Sequence, residues 1–422
     1  MNLQTPPLTL GELNLSRHLR AGDRVLVAQG AGEPETLTRA LVDAATEVAD
    51  LTACIGMLTC DVLTGARGLI FESYGALGYA ARLPPESLVI LSLHYSDYIA
   101  RLCDGRLPVD VVFVKLSGAD ENGDHHLGMG DLHLVNVARR ARLVIAEIDP
   151  GTPRTCGTAW PRDVMIQHKV QGGTPHREIP QRPAGAVEDK IAHYTAQLVP
   201  DRAVLQIGVG RLPDAIAKHL CHHRDLGVHS GALTDAIVTL LETGVMTNAA
   251  KEIDAGISIA GAVIGGAALC KFINENPAVQ LRPASYTHSS MQIGRLSRFY
   301  AINSAIEVDL LGQINTQTAA HREVGGIGGQ VDFTRGAQIS GTGRAIVAVP
   351  STALKGMKSR IVPHVETVSL ARTDADTVVS EWGVAELRGV SAQVRAERLI
   401  AIADPQFRED LSRDWHSKGQ VS

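Results

Sequence analysis

The residues of this sequence that are best suited to chemistry include a glycine-rich stretch at 325–329, where four of the five residues are glycine. Glycine lets the backbone approach a ligand closely, so successive N–H groups can converge on an anion or an oxyanion. The flanking sequence is apolar, which favours a functional loop over a mobile surface loop. The stretch matches neither the P-loop pattern, which ends in Gly-Lys-Ser/Thr, nor the GxGxxG dinucleotide pattern.

A carboxylate in a suggestive position is Glu381, which follows the apolar run 377–379 and precedes Trp382. We predict that it lies at the carboxyl end of a strand beside an aromatic side chain. Desolvation there would raise the pKa of the Glu381 carboxyl group and suit it to general base catalysis. A purely structural carboxylate is the alternative at this point.

A second glycine turn, Gly208-Val209-Gly210, follows an apolar strand pattern and precedes a helical one. This context makes the turn a candidate phosphate cradle. Pro213 stands where GxGxxG would have its third glycine, so a tight structural turn remains an equal alternative.

The stretch 226–237, LGVHSGALTDAI, reads as the end of a buried strand, a tight turn and the start of a helix. Gly231 is predicted at the change of direction, and Ser230 and Thr234 are both candidate N-cap residues. Ligands of open α/β sheets bind at the carboxyl ends of strands, where such turns lie.

No metal site is predicted from the histidines and cysteines. His219, Cys221, His222 and His223 resemble ligands by residue type but have no carboxylate at a suggestive spacing, so an exposed helix end is the better interpretation.

Short apolar runs alternate with helical patterns along the chain, which predicts a mostly parallel α/β fold. A dense run of prolines and glycines between 149 and 183 predicts a crossover or linker, and hence two domains at 1–186 and 187–422. The segment 300–311, which contains Glu307, alternates like a single strand.

Composition excludes several function classes. The net charge of −5 argues against a nucleic-acid partner bound by bulk charge. No apolar run reaches the ~18 residues that span a bilayer, and no signal peptide is visible, so we expect no membrane partner. The six cysteines are widely spaced, which predicts reduced thiols and a cytoplasmic location.

Taken together, several long segments in the same order resemble the acetyl-CoA hydrolase/transferase family, a 4-hydroxybutyrate CoA-transferase-like group with the class I CoA-transferase fold. The resemblance spans nearly the whole chain. Its most specific segments are 205–215, 302–315, 328–333, 351–363, 378–389 and 395–408.

The resemblance implies two similar open α/β domains with the active site between them, in a homodimer. It implies a CoA thioester as substrate, a carboxylate as acceptor and no bound cofactor. The glycine loop, including Gly328 and Gly329, would supply oxyanion donors, and Glu381 would assist the nucleophile. Contacts to CoA would involve glycines and an amide, namely Gly208, Gly210, Gly265, Gly326 and Gln330.

The chain departs from the family pattern where chemistry is expected. The family's turn reads roughly LGIHSEMISDG, and its glutamate is the nucleophile, whereas the matching residue here is Gly231. The family's GTK segment becomes Gly265-Gly266-Ala267, so a lysine that would help to bind CoA is missing. The serine ahead of the glycine loop is Gly325.

Three functions follow from these departures. The first is the family's own activity, CoA transfer or acyl-CoA hydrolysis with the thioester of a small carboxylic acid. The second is a diverged hydrolase in which water, with Glu381 as base, cleaves a thioester or a C–C bond of a keto-acyl-CoA. The third is a subunit that binds CoA esters without catalysis.

Overall fold

The computed structural model of the protein describes residues 7–130, 132–172 and 184–417. The chain separates into two compact units, one formed by Met1–Ile179 with Ile259–Thr287 and one formed by Pro180–Ser258 with His288–Ser422. The segment Ile259–Thr287 therefore groups with the first unit, whereas the predicted division assigns it to the second domain. The domain boundaries at 186 and 187 stay a prediction, and residues 173–183 of the predicted linker lie outside the described residues.

The first unit is built on a parallel sheet of seven strands in the order β4-β3-β2-β1-β5-β6-β7. The strands are β1 (Arg24–Val27), β2 (Leu51–Cys54), β3 (Leu69–Ser73), β4 (Leu88–Ile90), β5 (Val111–Ser117), β6 (Leu143–Asp149) and β7 (His168–Gln171). Its first helices are α1 (Leu10–Leu13), α2 (Glu35–Ala44), α3 (Tyr95–Asp104) and α4 (His133–Ala138).

Both faces of this sheet are covered, which explains the continuous apolar runs in the sequence. Val25 and Val27 of β1 belong to one buried cluster, and Leu26 between them belongs to a second. Successive side chains of a strand point to opposite faces, so the two clusters lie on the two sides of the sheet.

The second unit begins with the helix α5 (Ala186–Leu198), which is followed by two βα repeats. The repeats are β8 (Val204–Ile207) with α6 (Arg211–His219), and β9 (Gly227–Thr234) with α7 (Asp235–Glu242). The segment that groups with the first unit follows, with β10 (Ser258–Ile264), α8 (Ala267–Ile273), β11 (Val279–Leu281) and α9 (Ala284–Thr287).

The remainder of the second unit mixes long and short elements. They are α10 (Ser290–Ile293), β12 (Phe299–Ser304), β13 (Glu307–Asp309), β14 (Ile314–Asn315), β15 (Thr318–Ala319), β16 (Arg322–Glu323), α11 (Gln330–Ile339), β17 (Arg344–Ala348), β18 (Thr352–Ala353), β19 (Lys358–Ser359), β20 (Ile361–Val362), β21 (Thr377–Ser380), β22 (Gly383–Glu386), α12 (Ala392–Ala401) and α13 (Arg408–Ser417).

Six strands of this unit are neighbours in the order β9-β8-β12-β17-β21-β22, and all are parallel except β22. The carboxyl ends of the five parallel strands therefore lie at one edge of the sheet. Open α/β folds bind ligands at this edge. The α/β prediction for the fold is confirmed.

Two local predictions are wrong. Gly231 does not lie at a turn, because β9 continues through it to Thr234, which is the N-cap of α7 without a side-chain capping bond. The segment 300–311 is not one strand either. It divides into β12 in the large sheet and β13, which pairs with β14 and β20 in a separate sheet of three strands.

Candidate functional site

The glycine loop 325–329 leads directly into α11, for which Gly329 is the N-cap residue. Gly328 has a φ of +53° and no atom within 4 Å of the place where a Cβ would stand. This left-handed conformation favours glycine, and the open space leaves the backbone accessible. Gln330, the first helical residue, is only 6% exposed. The predicted oxyanion loop is therefore formed by a helix N-terminus and its preceding glycines, where backbone N–H groups are left without intrahelical partners.

The loop is hydrogen-bonded to Thr316 and Gln317, which connect β14 to β15. Gln317 O accepts hydrogen bonds from the backbone N–H groups of Val324 and Gly325, at 2.8 and 3.0 Å. The hydroxyl group of Thr316 donates to Gly326 O at 3.1 Å. A Cβ on Gly325 would stand 2.3 Å from Thr316 O, so this backbone has no room for the serine that the family resemblance leads one to expect.

Gly231 and Gly329 face the same two side chains. A Cβ on Gly231 would stand 3.2 Å from His288 Nε2 and 3.3 Å from Phe333 Cε2. A Cβ on Gly329 would stand 2.6 Å from His288 Nε2 and 2.9 Å from Phe333 Cε2. The structure thus brings these two predicted positions together around an imidazole and a phenyl ring.

His288 is the functional candidate that the sequence did not indicate. It follows α9, is 6% exposed, and packs its ring 4.6 Å from that of Phe333. Burial, with a smaller contribution from His229, lowers the pKa of His288 to about 3. The imidazole is therefore neutral at physiological pH. Its sequence neighbours, Thr287 and Ser289, carry no catalytic pattern, so only the three-dimensional arrangement reveals it.

The imidazole of His288 packs at the end of a row of buried aromatic rings. Phe333 stacks on Phe299 with ring centroids 6.3 Å apart, and Phe299 meets the ring of His229 edge-on at 6.3 Å. His229 and Phe299 are both fully buried. Because packed rings have few rotational alternatives, this arrangement fixes the position of the His288 ring beside the two glycines.

The buried imidazole predicts a loss of stability in acid. The unfolded chain would take up a proton near pH 6.5, whereas folded His288 does so only near pH 3. Between these values the unfolded state binds more protons, so stability falls as pH falls. For this group alone we expect a loss of about 2 kcal/mol between pH 7.5 and pH 5. Urea unfolding of the wild type and of His288→Gln at both pH values measures it, and equal losses in the two proteins would contradict the prediction.

Glu381 directly follows β21, at the strand end that the sequence predicts. Its Oε2 atom accepts a hydrogen bond from the backbone N–H of Ser351 at 2.8 Å, and its Oε1 atom accepts one from the Ser351 hydroxyl group at 2.7 Å. The indole Nε1–H of Trp382 donates to the same hydroxyl group at 3.1 Å. These bonds fix the orientation of the carboxylate.

Sheet order separates Glu381 from Gly231. Three strands, β8, β12 and β17, stand between β9 and β21. Gly231 lies within one strand of this sheet and Glu381 directly follows another, and the two strands are not neighbours. The structure brings Gly231 together with the glycine loop, and brings Glu381 together with Ser351.

The turn Gly208-Val209-Gly210 connects β8 to α6, as predicted. Gly208 directly follows β8, which pairs with β9, the strand that contains Gly231. Gly210, the N-cap residue of α6, has a φ of +128° that favours glycine. Gly265 precedes α8 in the segment that groups with the first unit.

Within the described residues, no group of three or more histidine, cysteine or acidic side chains could hold a metal ion. His219 contacts Asp189 at 2.8 Å, and His223 Nε2 lies 2.9 Å from Val199 O. In the same part of the chain, no helix is long and apolar enough to cross a membrane.

Comparison with known proteins identifies the family. Residues 265–415 match the acetyl-CoA hydrolase/transferase C-terminal domain. The chain is 37% identical to a 4-hydroxybutyrate coenzyme A transferase of Clostridium kluyveri over 74% of each chain. The chain belongs to the acetyl-CoA hydrolase/transferase family. A succinyl-CoA:cyclohexane-1-carboxylate CoA transferase of Geobacter metallireducens is 35% identical over 76% of this chain and 74% of its own.

Solved structures of this family have the same fold. RipA from Yersinia pestis matches with a TM-score of 0.91 at 29% identity, covering 99% of both chains. A 4-hydroxybutyrate CoA-transferase from Porphyromonas gingivalis matches with a TM-score of 0.80 at 29% identity, covering 97% of both chains. The predicted membership of this family of CoA transferases and acetyl-CoA hydrolases is therefore confirmed.

Proposed function

We propose that this family member hydrolyses the CoA thioester of a small carboxylic acid, releasing the acid and free CoA. The observation that carries the proposal is the environment of residue 231. The family resemblance assigns a nucleophilic glutamate to this position, and here it is glycine, facing a neutral imidazole and a phenyl ring. Covalent transfer through an acyl-glutamyl anhydride needs a carboxylate nucleophile, whereas hydrolysis needs only a water molecule.

In the proposed reaction, a water oxygen attacks the thioester carbonyl carbon and its proton passes to a base. Backbone N–H groups of Gly328 and Gly329 hold the oxyanion that forms. The C–S bond then breaks, and the CoA thiolate takes up the proton. CoA is a substrate in this scheme, with Gly208, Gly210, Gly265, Gly326 and Gln330 as the proposed contacts.

Glu381 is the proposed general base. Its carboxylate is held by Ser351 at the carboxyl edge of the sheet, which is where substrates of open α/β folds bind. Since three strands lie between β21 and β9, the proposed base acts on water at its own position on this edge, away from Gly231.

Release of CoA from a panel of acyl-CoA thioesters, with and without added acetate, tests the proposed hydrolysis. Thiol detection should show CoA release that does not depend on acetate, and neither borohydride nor hydroxylamine should trap a glutamyl thioester. Acetate-dependent formation of acetyl-CoA with a trapped thioester would favour transfer instead. Product analysis by mass spectrometry separates thioester cleavage from C–C cleavage of a keto-acyl-CoA, and no turnover with any thioester would favour a non-catalytic CoA-ester-binding subunit.

Replacing Glu381 by glutamine should lower CoA release by about 100-fold, at the lower end of what general base catalysis contributes. Ser351→Ala is the matched control, because it keeps the carboxylate and the backbone bond to Oε2. Its loss should be much smaller than that of Glu381→Gln. Equal losses in the two variants would show that Glu381 acts only by holding the segment that contains Ser351.

We further propose that the protein acts as a cytoplasmic homodimer without a nucleic-acid or membrane partner. The net charge of −5 supports the first of these exclusions. All six cysteines lie in the described residues and none forms a disulfide, which supports a reducing compartment. Sedimentation velocity at micromolar concentration tests the homodimer, and a single monomeric species would refute it.

A further inference from the structure

We propose that the guanidinium group of Arg360 binds a carboxylate at the far end of the acyl chain, so that the substrate is the CoA thioester of a dicarboxylic acid. The inference rests on the proposed function, because it needs an acyl-CoA bound at the sheet edge where Glu381 lies. It names the class of acyl group that this edge accepts.

Arg360 lies at the carboxyl edge of the large sheet of the second unit. Its backbone N–H donates to Ser351 O, shortly after β17, at 2.8 Å. Its Nη1 atom donates to Ile306 O, shortly after β12, at 3.3 Å. β12 pairs with β17 on one side and with β8 on the other, and the chain runs outward in both directions from β8 and β12. Open α/β folds bind ligands at such a switch point.

The positive charge of Arg360 has no counter-ion in contact with it. Within the part of the chain that the structure describes, Arg360 forms no ion pair, and its buried Nε atom has no hydrogen-bond partner. Burial lowers the pKa of Arg360, and the carboxylates of Glu307 and Glu381 lie near enough to act against this shift. Both carboxylates are bonded elsewhere, because Glu307 Oε1 pairs with Lys358 Nζ at 3.1 Å and Glu381 accepts both of its bonds from Ser351.

A carboxylate is the group that fits this unpaired cation. Removing a charged group from water is unfavourable unless it gains a partner, so a partly buried guanidinium favours an acceptor that replaces the lost water. The two oxygens of a carboxylate match the planar fork of N–H donors on arginine, and such bonds are stronger than those between neutral groups.

The position beside Glu381 favours the acyl chain as the source of this carboxylate. Because Glu381 is the proposed base that activates water, the thioester carbonyl and the start of the acyl chain lie near it. The phosphate groups of CoA are separated from the thioester by the whole pantetheine arm. Glu307 and Glu381 would repel a carboxylate that entered without a cation, so Arg360 determines whether a charged acyl end is accepted.

A structural role is the competing explanation for Arg360. Its bond to Ile306 O joins two segments of the chain, and its charge offsets the nearby carboxylates. A structural role does not depend on which acyl chain is bound. Replacing Arg360 would then slow the hydrolysis of all thioesters to the same degree, whereas loss of a carboxylate site changes the ratio between charged and uncharged acyl chains.

The test compares succinyl-CoA with butyryl-CoA, and glutaryl-CoA with pentanoyl-CoA, because each pair has equal chain length and differs in the terminal carboxylate. In the wild type we expect kcat/KM to be about 10- to 100-fold higher for the dicarboxylic member of at least one pair, as for one charged hydrogen-bonded contact. Arg360→Gln should bring this ratio to one or below, and Arg360→Lys should keep part of the preference.

Lys355→Gln is the matched control, because it removes a positive charge from the exposed turn between β18 and β19 in the same segment. This variant should leave the ratio of the two kcat/KM values unchanged. A wild-type ratio of one or less in both pairs would overturn the proposal. So would a wild-type preference that persists in Arg360→Gln, or one that Lys355→Gln removes equally.

A second measurement does not depend on turnover. Analogues of succinyl-CoA and butyryl-CoA, with a methylene group in place of the thioester sulfur, are titrated into each variant by calorimetry. The wild type should bind the succinyl analogue at least about 10-fold more tightly, and Arg360→Gln should lose this difference. Equal affinities in the wild type would overturn the carboxylate site even if the protein hydrolyses thioesters. A preference in a wild type that hydrolyses no thioester would instead retain the site and refute the proposed function.

Discussion

Gly231→Glu is expected to give the protein CoA-transferase activity through a glutamyl thioester. The change restores the carboxylate nucleophile that the family resemblance assigns to this position, and a missing nucleophile costs several orders of magnitude in rate. The backbone of β9 need not change, because residue 231 has an ordinary extended conformation. The new Cβ requires His288 and Phe333 to give way by only a few tenths of an ångström.

Gly231→Gln is the matched control for this experiment, since it adds the same bulk without a nucleophile. Acyl-CoA and acetate are supplied to both variants, and acetyl-CoA formation is followed together with trapping by hydroxylamine. Transfer and trapping should appear with glutamate alone. A folded Gly231→Glu variant that forms no trapped thioester would show that the site has diverged beyond the nucleophile. Adding His288→Asn tests whether the imidazole is what obstructs the new side chain.

Gly329→Ala is expected to reduce thioester hydrolysis by at least 100-fold, comparable to removing an oxyanion donor. The added Cβ would stand 2.5 Å from His288 Cδ2 and 2.9 Å from Phe333 Cε2. Either the imidazole or the glycine loop must move, and the loop carries the proposed oxyanion donors. We also expect a loss of about 1–3 kcal/mol in unfolding free energy, as for other overpacked sites.

Gly328→Ala is the matched control for Gly329→Ala, because it introduces backbone strain without a steric collision with His288 or Phe333. Its Cβ would meet no atom within 4 Å, but its φ of +53° costs an L-residue roughly 1–2 kcal/mol. Urea unfolding and CoA release of the two variants are compared. For the same loss of unfolding free energy, Gly329→Ala should lose far more of the CoA-release rate than Gly328→Ala. Similar activity in the two variants would mean that contact between residue 329 and His288 does not matter for catalysis.

Much of the fold follows from the apolar pattern. The strands β1, β5, β8 and β17 were predictable because each is a short apolar run followed by a turn or a helical pattern. The apolar pattern gives a wrong prediction in the segment 300–311, because apolar and polar residues go on alternating from β12 into β13. Alternation records which side chains are buried, and it does not record that the chain has passed from one sheet to another.

The candidate site was less predictable than the fold. Glycine usually marks a turn, and the sequence therefore predicts one at Gly231, but in the structure the missing side chain leaves room for His288 and Phe333. His288 itself is far from residue 231 in sequence and gives no local signal. Side-chain spacing predicts neighbours within one element, whereas this contact joins β9, the glycine loop and the residue that follows α9.

The position of residue 231 within β9 also bears on how CoA-transferase activity could be gained or lost among members of the family. A glycine codon that ends in a purine becomes a glutamate codon by one base change at its middle position. Residue 231 lies within a strand and not in a specialised turn, so we expect that change to leave the course of the main chain as it is. With the nucleophile assigned to this position, as the family resemblance implies, its loss or recovery would be a short evolutionary step. We therefore expect the residue at this position to indicate CoA transfer among relatives better than overall sequence similarity does.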